Sequence, residues 1–299
     1  MSTYAGTIAV IGKPNAGKST LLNAILGERI SIVTHKAQTT RRTVLGISTR
    51  ENYQSIFLDT PGFLKPKYQL QKAMLGYIER AVGDADILLI IIDASKLISE
   101  AESFDDEFYQ YLKSINKPKI LALNKLDLLD NRKKMLPLMD KAIKENIFDE
   151  VIPISALKKV SIHEVLKTIE KYLPESDFFY DPEYLSIQPE KFFVAELIRE
   201  NIFNVFSQEI PYSTEVVINQ FKEREKSKWY ISAEIIVERN SQKQILIGHE
   251  GQMIKKIGEL SRKRIEEHLQ TDVYLELFVK VRDKWRNNNT LLKSYGYSV

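Results

Sequence analysis

The stretch "TIAVIGKPNAGKSTLLNAIL", residues 7–26, constrains the fold more than any other part of the chain. The run Thr7 to Ile11 reads as a buried strand, and the pattern from Ser19 onward, with Thr20 and the pair at 21 and 22, reads as a helix. Between them Gly12, Lys13, Pro14, Asn15, Ala16, Gly17, Lys18 and Ser19 fit G-x-x-x-x-G-K-[ST], a loop whose glycines allow a sharp bend and close approach to a ligand. Such a loop offers successive backbone N–H groups to a polyphosphate at a helix N-terminus, where unpaired donors and the helix dipole favour anions. Lys18 would bridge the β- and γ-phosphates, and Ser19 would give its hydroxyl to Mg²⁺.

The same rhythm continues to Leu173. Short apolar runs at "TVLGIST", "QSIFLDT", "DILLIIIDA", "KPKILALN" and "EVIPISA" alternate with helical patterns, which is the α/β signature. The fully apolar runs suit parallel strands buried on both faces, whereas "TVLGIST" and "QSIFLDT", separated by "RENY", predict an antiparallel hairpin. Residues 174–190, "PESDFFYDPEYLSIQPE", hold three prolines and five acidic residues without a basic one, and are expected to be a linker. Residues 1–173 and 191–299 are then the two expected domains.

With no cysteine there is no disulfide framework, thiolate zinc site or cysteine nucleophile, and four scattered histidines offer no ligand pair at helical spacing. The longest apolar run, Ile87 to Ile92, is too short to span a bilayer, so a soluble, cytoplasmic chain is expected; peripheral association with the inner face of the cell membrane is left open.

Three further loops follow strand ends. In "LDTPG", Asp59 at the end of a buried strand would hold the Mg²⁺ water shell, Thr60 and Pro61 make the turn, and the Gly62 amide would touch the γ-phosphate, with Phe63 next to it. In "NKLD", Asn124 and Lys125 precede Asp127, whose carboxylate would accept from guanine N1–H and N2–H₂; adenine offers no such pair. In "SAL", Ser155, Ala156 and Leu157, the Ala156 amide would meet guanine O6. Taken singly, "DTPG" is an ordinary turn and "NKLD" a helix cap. Found in order after the strands of one parallel sheet, the loops converge on the carboxyl edge where such folds bind ligands.

The second half runs helix, two strands, helix, "GHEG", helix, strand, the order of a type II KH module. Gly248, His249, Glu250 and Gly251 form its G-x-x-G loop, preceded by Ile247, and the loop would clamp the backbone of about four unpaired nucleotides. Residues 239–299 carry twelve Lys/Arg against seven Asp/Glu, while residues 191–238 carry six against eight. Lys255, Lys256, Arg262, Lys280 and Arg282 are the candidate phosphate contacts, and Ile245, Ile247, Ile254 and Ile257 the candidate apolar floor, some of them core.

Together these residues resemble the Era/TrmE-like translation-factor class of GTPases, and "KPNAGKSTLLNAI" with "KAQTTRRTVLGI" is similar to the Era family across essentially the whole chain. The resemblance implies a Ras-like α/β P-loop NTPase domain with a mixed, mostly parallel sheet, followed by the α+β KH domain. It implies that Thr40, with Thr39 the neighbouring alternative, completes the Mg²⁺ shell within a switch of residues 31–42. It puts Phe63 where Ras-like enzymes have a water-orienting glutamine, implying slow intrinsic hydrolysis, and it gives Asn15 to K⁺. The catalytic set is then Lys18, Asn15, Thr40 and Gly62. The implied partners are GTP and GDP and single-stranded RNA at the 3′ end of 16S rRNA in small-subunit assembly, with the chain a monomer. The competing reading is a P-loop metabolic kinase or ligase whose second domain holds a small substrate.

Overall fold

The computed structural model describes residues 2–99, 106–129 and 135–298. The chain divides into two compact units, one formed by residues up to Pro66 with Met74–Ile187, the other by Lys67–Ala73 with Gln188 onward.

The first unit is built on a six-stranded sheet of β1 (Tyr4–Ile11), β2 (Val44–Arg50), β3 (Tyr53–Asp59), β4 (Ile87–Asp93), β5 (Lys119–Asn124) and β6 (Glu150–Pro153) in the order β2-β3-β1-β4-β5-β6. Five strands are parallel and β2 runs antiparallel to β3, as the short connection between them requires. Helices α1 (Lys18–Leu26), α2 (Gln69–Asp84) from Met74 onward, α3 (Ala94–Ser99), α4 (Glu107–Lys113), α5 (Met135–Lys144) and α6 (Ile162–Glu170) complete it. The unbroken apolar sequence of β4 has its cause in the two-sided burial of the sheet. Leu88, Ile90 and Ile92 enter one core cluster with Phe108 and Tyr109, and Ile87, Leu89 and Ile91 enter the other with Leu21, Leu22 and Val165.

Residues 174–187 lie along the first unit. Ala5 N–H donates to Pro174 O, and the Gln54 side chain donates to Tyr180 O and accepts from the N–H groups of Phe179 and Tyr180. Ile47 N–H then donates to Leu185 O at 2.8 Å, and Ser186 Oγ to Leu45 O at 2.5 Å, so the segment pairs with the outer side of β2.

In the second unit α7 (Glu190–Val205) and α8 (Ile210–Ser213) precede β7 (Glu215–Lys222) and β8 (Trp229–Val237). Then come α9 (Asn240–Ile247), α10 (Gln252–Leu269), β9 (Val273–Val281) and α11 (Asn289–Ser294). The sheet order is β7-β8-β9, antiparallel then parallel. Ile231, Ala233, Ile235 and Val237 of β8 alternate onto one face and pack with Ile198, Ile202, Ile257 and Ile265. The chain beyond β9 is locked in: Trp285 is fully buried with Nε1 donating to Ser213 O, and Tyr297 OH donates to Glu215. Among the described residues no helix is long and apolar enough to cross a membrane.

Candidate active site and nucleic-acid interface

The four loops picked out by sequence all leave the carboxyl ends of parallel strands of one sheet, β3, β1, β5 and β6. They surround a cavity of about 380 Å³ whose wall includes Asn15, Lys18, Ser19, Thr40, Asn124 and Asp127. Pro14, Gly17, Thr20, Gly62, Lys125 and Leu157 also line it, whereas Gly12, Lys13, Ala16, Asp59, Thr60, Pro61, Phe63, Ser155 and Ala156 do not.

Lys18 is buried and its ammonium donates to Gly12 O at 3.0 Å and Lys13 O at 3.1 Å. Burial pushes its pKa down to about 8 against the pull of Asp59. Burial likewise raises Asp59 above the usual carboxylate range, although the Ser19 hydroxyl and the Lys18 charge work the other way. Ser19 Oγ donates to Asp59 Oδ2 at 2.6 Å and lies 2.9 Å from Thr40 Oγ1. Thr39 also lines the cavity, but its hydroxyl lies 2.6 Å from Thr34 Oγ1 and donates to Lys36 O. Asp59 Oδ1 is sealed from solvent without a hydrogen-bond partner. One carboxylate and two hydroxyls are hard oxygen donors suited to a small divalent cation that takes its other ligands from phosphate and water, and an orphaned buried carboxylate oxygen is a reason for such an ion to sit there.

On the base side, Asn124 Nδ2 donates to Ala16 O at 2.8 Å and Asn124 Oδ1 accepts from Ala156 N–H at 2.9 Å. The Ala156 amide expected to face guanine is therefore turned to Asn124 here. Ser155 Oγ donates to the Asp127 carboxylate, fixing its orientation. The Lys125 ammonium stands 2.7 Å from Asp93 Oδ2. Asp93, at the end of β4, also accepts from Ser95 N–H and Oγ. Sequence reading passed over Asp93, Lys96, which lines the cavity, and Leu128, which faces it from beside Asp127.

Phe63 is turned into the first unit's core, its ring centroid 5.2 Å from Phe108 and 5.3 Å from Tyr111, while its N–H donates to Gly12 O at 3.0 Å. Gly62 presses against Pro14, where a β-carbon would lie 2.8 Å from Pro14 Cα. Asn15, at φ 64°, donates from Nδ2 to His35 O at 3.1 Å.

In the second unit Gly248 has φ 75°, and a β-carbon there would meet Met253 Cγ at 2.5 Å, so only glycine fits. His249 and Glu250 are exposed between the two glycines. Beyond the loop, Ile254, Lys255, Gly258 and Arg262 on α10 face Leu275 and Leu277 of β9 across a groove. Of the four candidate floor isoleucines, Ile257 is core, Ile245 is exposed, Ile254 enters the groove and Ile247 is half-buried outside it. Lys256 is exposed outside it, and Lys280 pairs with Glu234. The groove's β9 wall went unnoticed in the sequence because Leu275 and Leu277 read as ordinary strand residues.

Residues 7–125 match the family described as 50S ribosome-binding GTPase, and residues 209–286 match the KH domain. The GTPase Era of Ruminiclostridium cellulolyticum is 41% identical over 299 residues, 100% of this chain and 99% of that one. That of Trichlorobacter lovleyi is 41% identical, with 99% of each chain covered. The chain belongs to the Era family of GTPases. A crystal structure of Era in complex with MgGDPNP and nucleotides 1506–1542 of 16S ribosomal RNA superposes with TM-score 0.94 at 39% identity, covering 99% of this chain and 100% of that one. An Aquifex aeolicus Era variant bound to GDP·AlF₄⁻ gives TM-score 0.92 at 38% identity, covering 99% and 100%.

As an Era GTPase the chain hydrolyses GTP. Phosphoryl transfer asks chiefly for positioning and for positive charge at the phosphate oxygens. Lys18 brings a buried ammonium to the wall of the cavity.

Proposed function

We propose that the chain is a GTP-controlled RNA-binding switch acting on the 3′ end of 16S rRNA in assembly of the small ribosomal subunit. Residues 1–173 bind and hydrolyse the nucleotide, residues 174–190 connect, and residues 191–299 grip RNA. Asp127 reads guanine, and Ser19, Thr40 and Asp59 hold Mg²⁺, which supplies charge to the phosphates. Lys18 neutralises the β- and γ-phosphates, and the Gly62 amide meets the γ-phosphate. Asn15 holds K⁺, so hydrolysis runs faster in K⁺ than in Na⁺ at matched ionic strength. The G-x-x-G loop from Gly248 to Gly251, with Lys255 and Arg262, clamps single-stranded RNA. The chain acts as a cytoplasmic monomer; no observation on it supports the membrane association left open by the sequence.

The observation that carries this reading is the full-length likeness to an Era solved with both a GTP analogue and a 16S rRNA fragment. Binding of a 16S rRNA 3′-end oligonucleotide, measured with a GTP analogue, with GDP and without nucleotide, tests it. A tenfold spread, about 1.4 kcal/mol of coupling, is expected. Equal affinity in all three states would leave no switch, and transfer of the γ-phosphate to a small molecule would favour the kinase reading.

A further inference from the structure

The sheet of the second unit has two faces: α7, α9 and α10 pack on one, and the other is partly open. On the other, the register sets Lys222, Tyr230 and Tyr274 in one row across β7, β8 and β9. The rings of Tyr230 and Tyr274 are nearly parallel, with centroids 6.0 Å apart and planes inclined by 17°. Phe278 follows four residues along β9 on the same face. Tyr274 is 54% exposed and Phe278 50% exposed, so their rings contribute little to the fold by burial. Two cations lean on this surface: Lys222 Nζ lies 5.8 Å and Arg224 Cζ 5.5 Å from the centroid of Tyr230. Glu276, between Tyr274 and Phe278, accepts from Tyr230 OH at 2.6 Å and has carboxylate lone pairs to offer an exocyclic amino group. The far end of the face is closed where Tyr297 donates to Glu215 and Ile236 is buried.

We infer that this face is a second RNA platform, on which unpaired bases leaving the α10–β9 groove stack upon Tyr274 and Phe278 while Lys222 and Arg224 hold the phosphates. The inference rests on the RNA-binding reading of the groove and extends it. The two surfaces are continuous because β9 is the sheet's edge strand: Leu275 and Leu277 face the groove, and the alternate residues Tyr274, Glu276 and Phe278 face the platform. A strand leaving the groove has only the thickness of β9 to cross. Exposed rings flanked by cations are what sequence-tolerant single-strand binding uses, since every base has a face to stack and a phosphate to neutralise. A protein partner would gain from the rings but not from cations poised over one of them.

The test uses the full chain and two fluorescent RNA pools of random sequence, tetramers that fill the groove alone and decamers that reach past it. The decamers should bind more tightly than the tetramers. The double variant Tyr274→Ala/Phe278→Ala should lose about tenfold on decamers, roughly 1.4 kcal/mol, and nothing on tetramers. Tyr274→Leu/Phe278→Leu, which keeps an apolar face without π-stacking, should show the same loss with unchanged melting and GTP hydrolysis. Lys222→Gln/Arg224→Gln should flatten the decamer's log–log salt slope by about 1.4, two phosphates at ~0.7 each for a single strand. Equal decamer affinity in all four proteins overturns the platform and hands the rings to a protein partner. Failure of the unaltered protein to bind tetramers would instead strike at the groove itself.

Discussion

A β-carbon on Gly17 would stand 2.2 Å from Asn124 Nδ2, so the second glycine of the phosphate loop and the first residue of the base loop fit only as a pair. Asn124 is also the tie between loops, through Ala16 O and Ala156 N–H. Asn124→Ala leaves both of these buried groups unpaired, each at about 1–3 kcal/mol. We expect a loss of GDP affinity of 10- to 100-fold by calorimetry, a few kcal/mol, with a lower melting temperature. Lower melting with undiminished GDP affinity would reduce Asn124 to a brace.

Asp127→Asn replaces an acceptor by a donor at the point where guanine presents donors. Binding of GTP should fall and xanthosine triphosphate should bind in its place, because xanthine carries a carbonyl at that edge. Ser155 still supports the altered side chain, since its hydroxyl has an oxygen to donate to. Competition between the two nucleotides for the variant reads the outcome, and an unaltered preference for guanine would remove Asp127 from the base site.

Phe63→Gln puts a water-orienting residue back at the Ras-like position, yet hydrolysis should not quicken. The side chain there points between Phe108 and Tyr111, away from the cavity, and Phe63 N–H remains tied to Gly12 O. The substitution should instead cost about 1–3 kcal/mol of stability by burying an amide among rings. A single-turnover rate several-fold above the unaltered protein would show that residue 63 swings into the site.

The Asp93 carboxyl is held below the usual carboxylate range: burial works against this, but the hydrogen bonds from Lys125 and Ser95 prevail. A folded-state pKa that is depressed means the unfolded chain binds more protons in the acid range. The stabilisation is therefore complete above the ordinary value of 3.8 and fades as pH falls through the lower folded one. Asp93→Asn should lower unfolding stability at pH 7, by about 1–3 kcal/mol for a lost charged hydrogen bond, and the gap to the unaltered protein should close below pH 4. A gap independent of pH would mean that the ion pair with Lys125 contributes nothing.

The parts legible in the sequence were those fixed by local rules. The hairpin of β2 and β3, the two-sided burial of β4 and the glycine-only turn at Gly248 each follow from a few adjacent residues. What escaped depends on partners far along the chain. Nothing near Asp93 announces that it will meet Lys125, and nothing near Trp285 announces that Ser213 O awaits its indole. Prolines and acids mark residues 174–190 as a linker, but nothing in them announces that the backbone of residues 174–187 and the Gln54 side chain will hold that stretch against the first unit. The sequence put Thr40 ahead of Thr39 by resemblance alone, and that the Thr40 hydroxyl comes within 2.9 Å of Ser19 Oγ is visible only in the fold.

The pairing of residues 185 and 186 with β2 has a consequence for the protein in a crowded solution. A bare outer strand is a template on which other chains add and fibrils grow. Here Leu185 O and the Ser186 hydroxyl occupy the middle of that border, and the opposite one is the four-residue β6, which ends in Pro153. Neither margin gives an intruding strand a long run of free amides, so the sheet is guarded against self-association at concentrations where an unprotected one would polymerise.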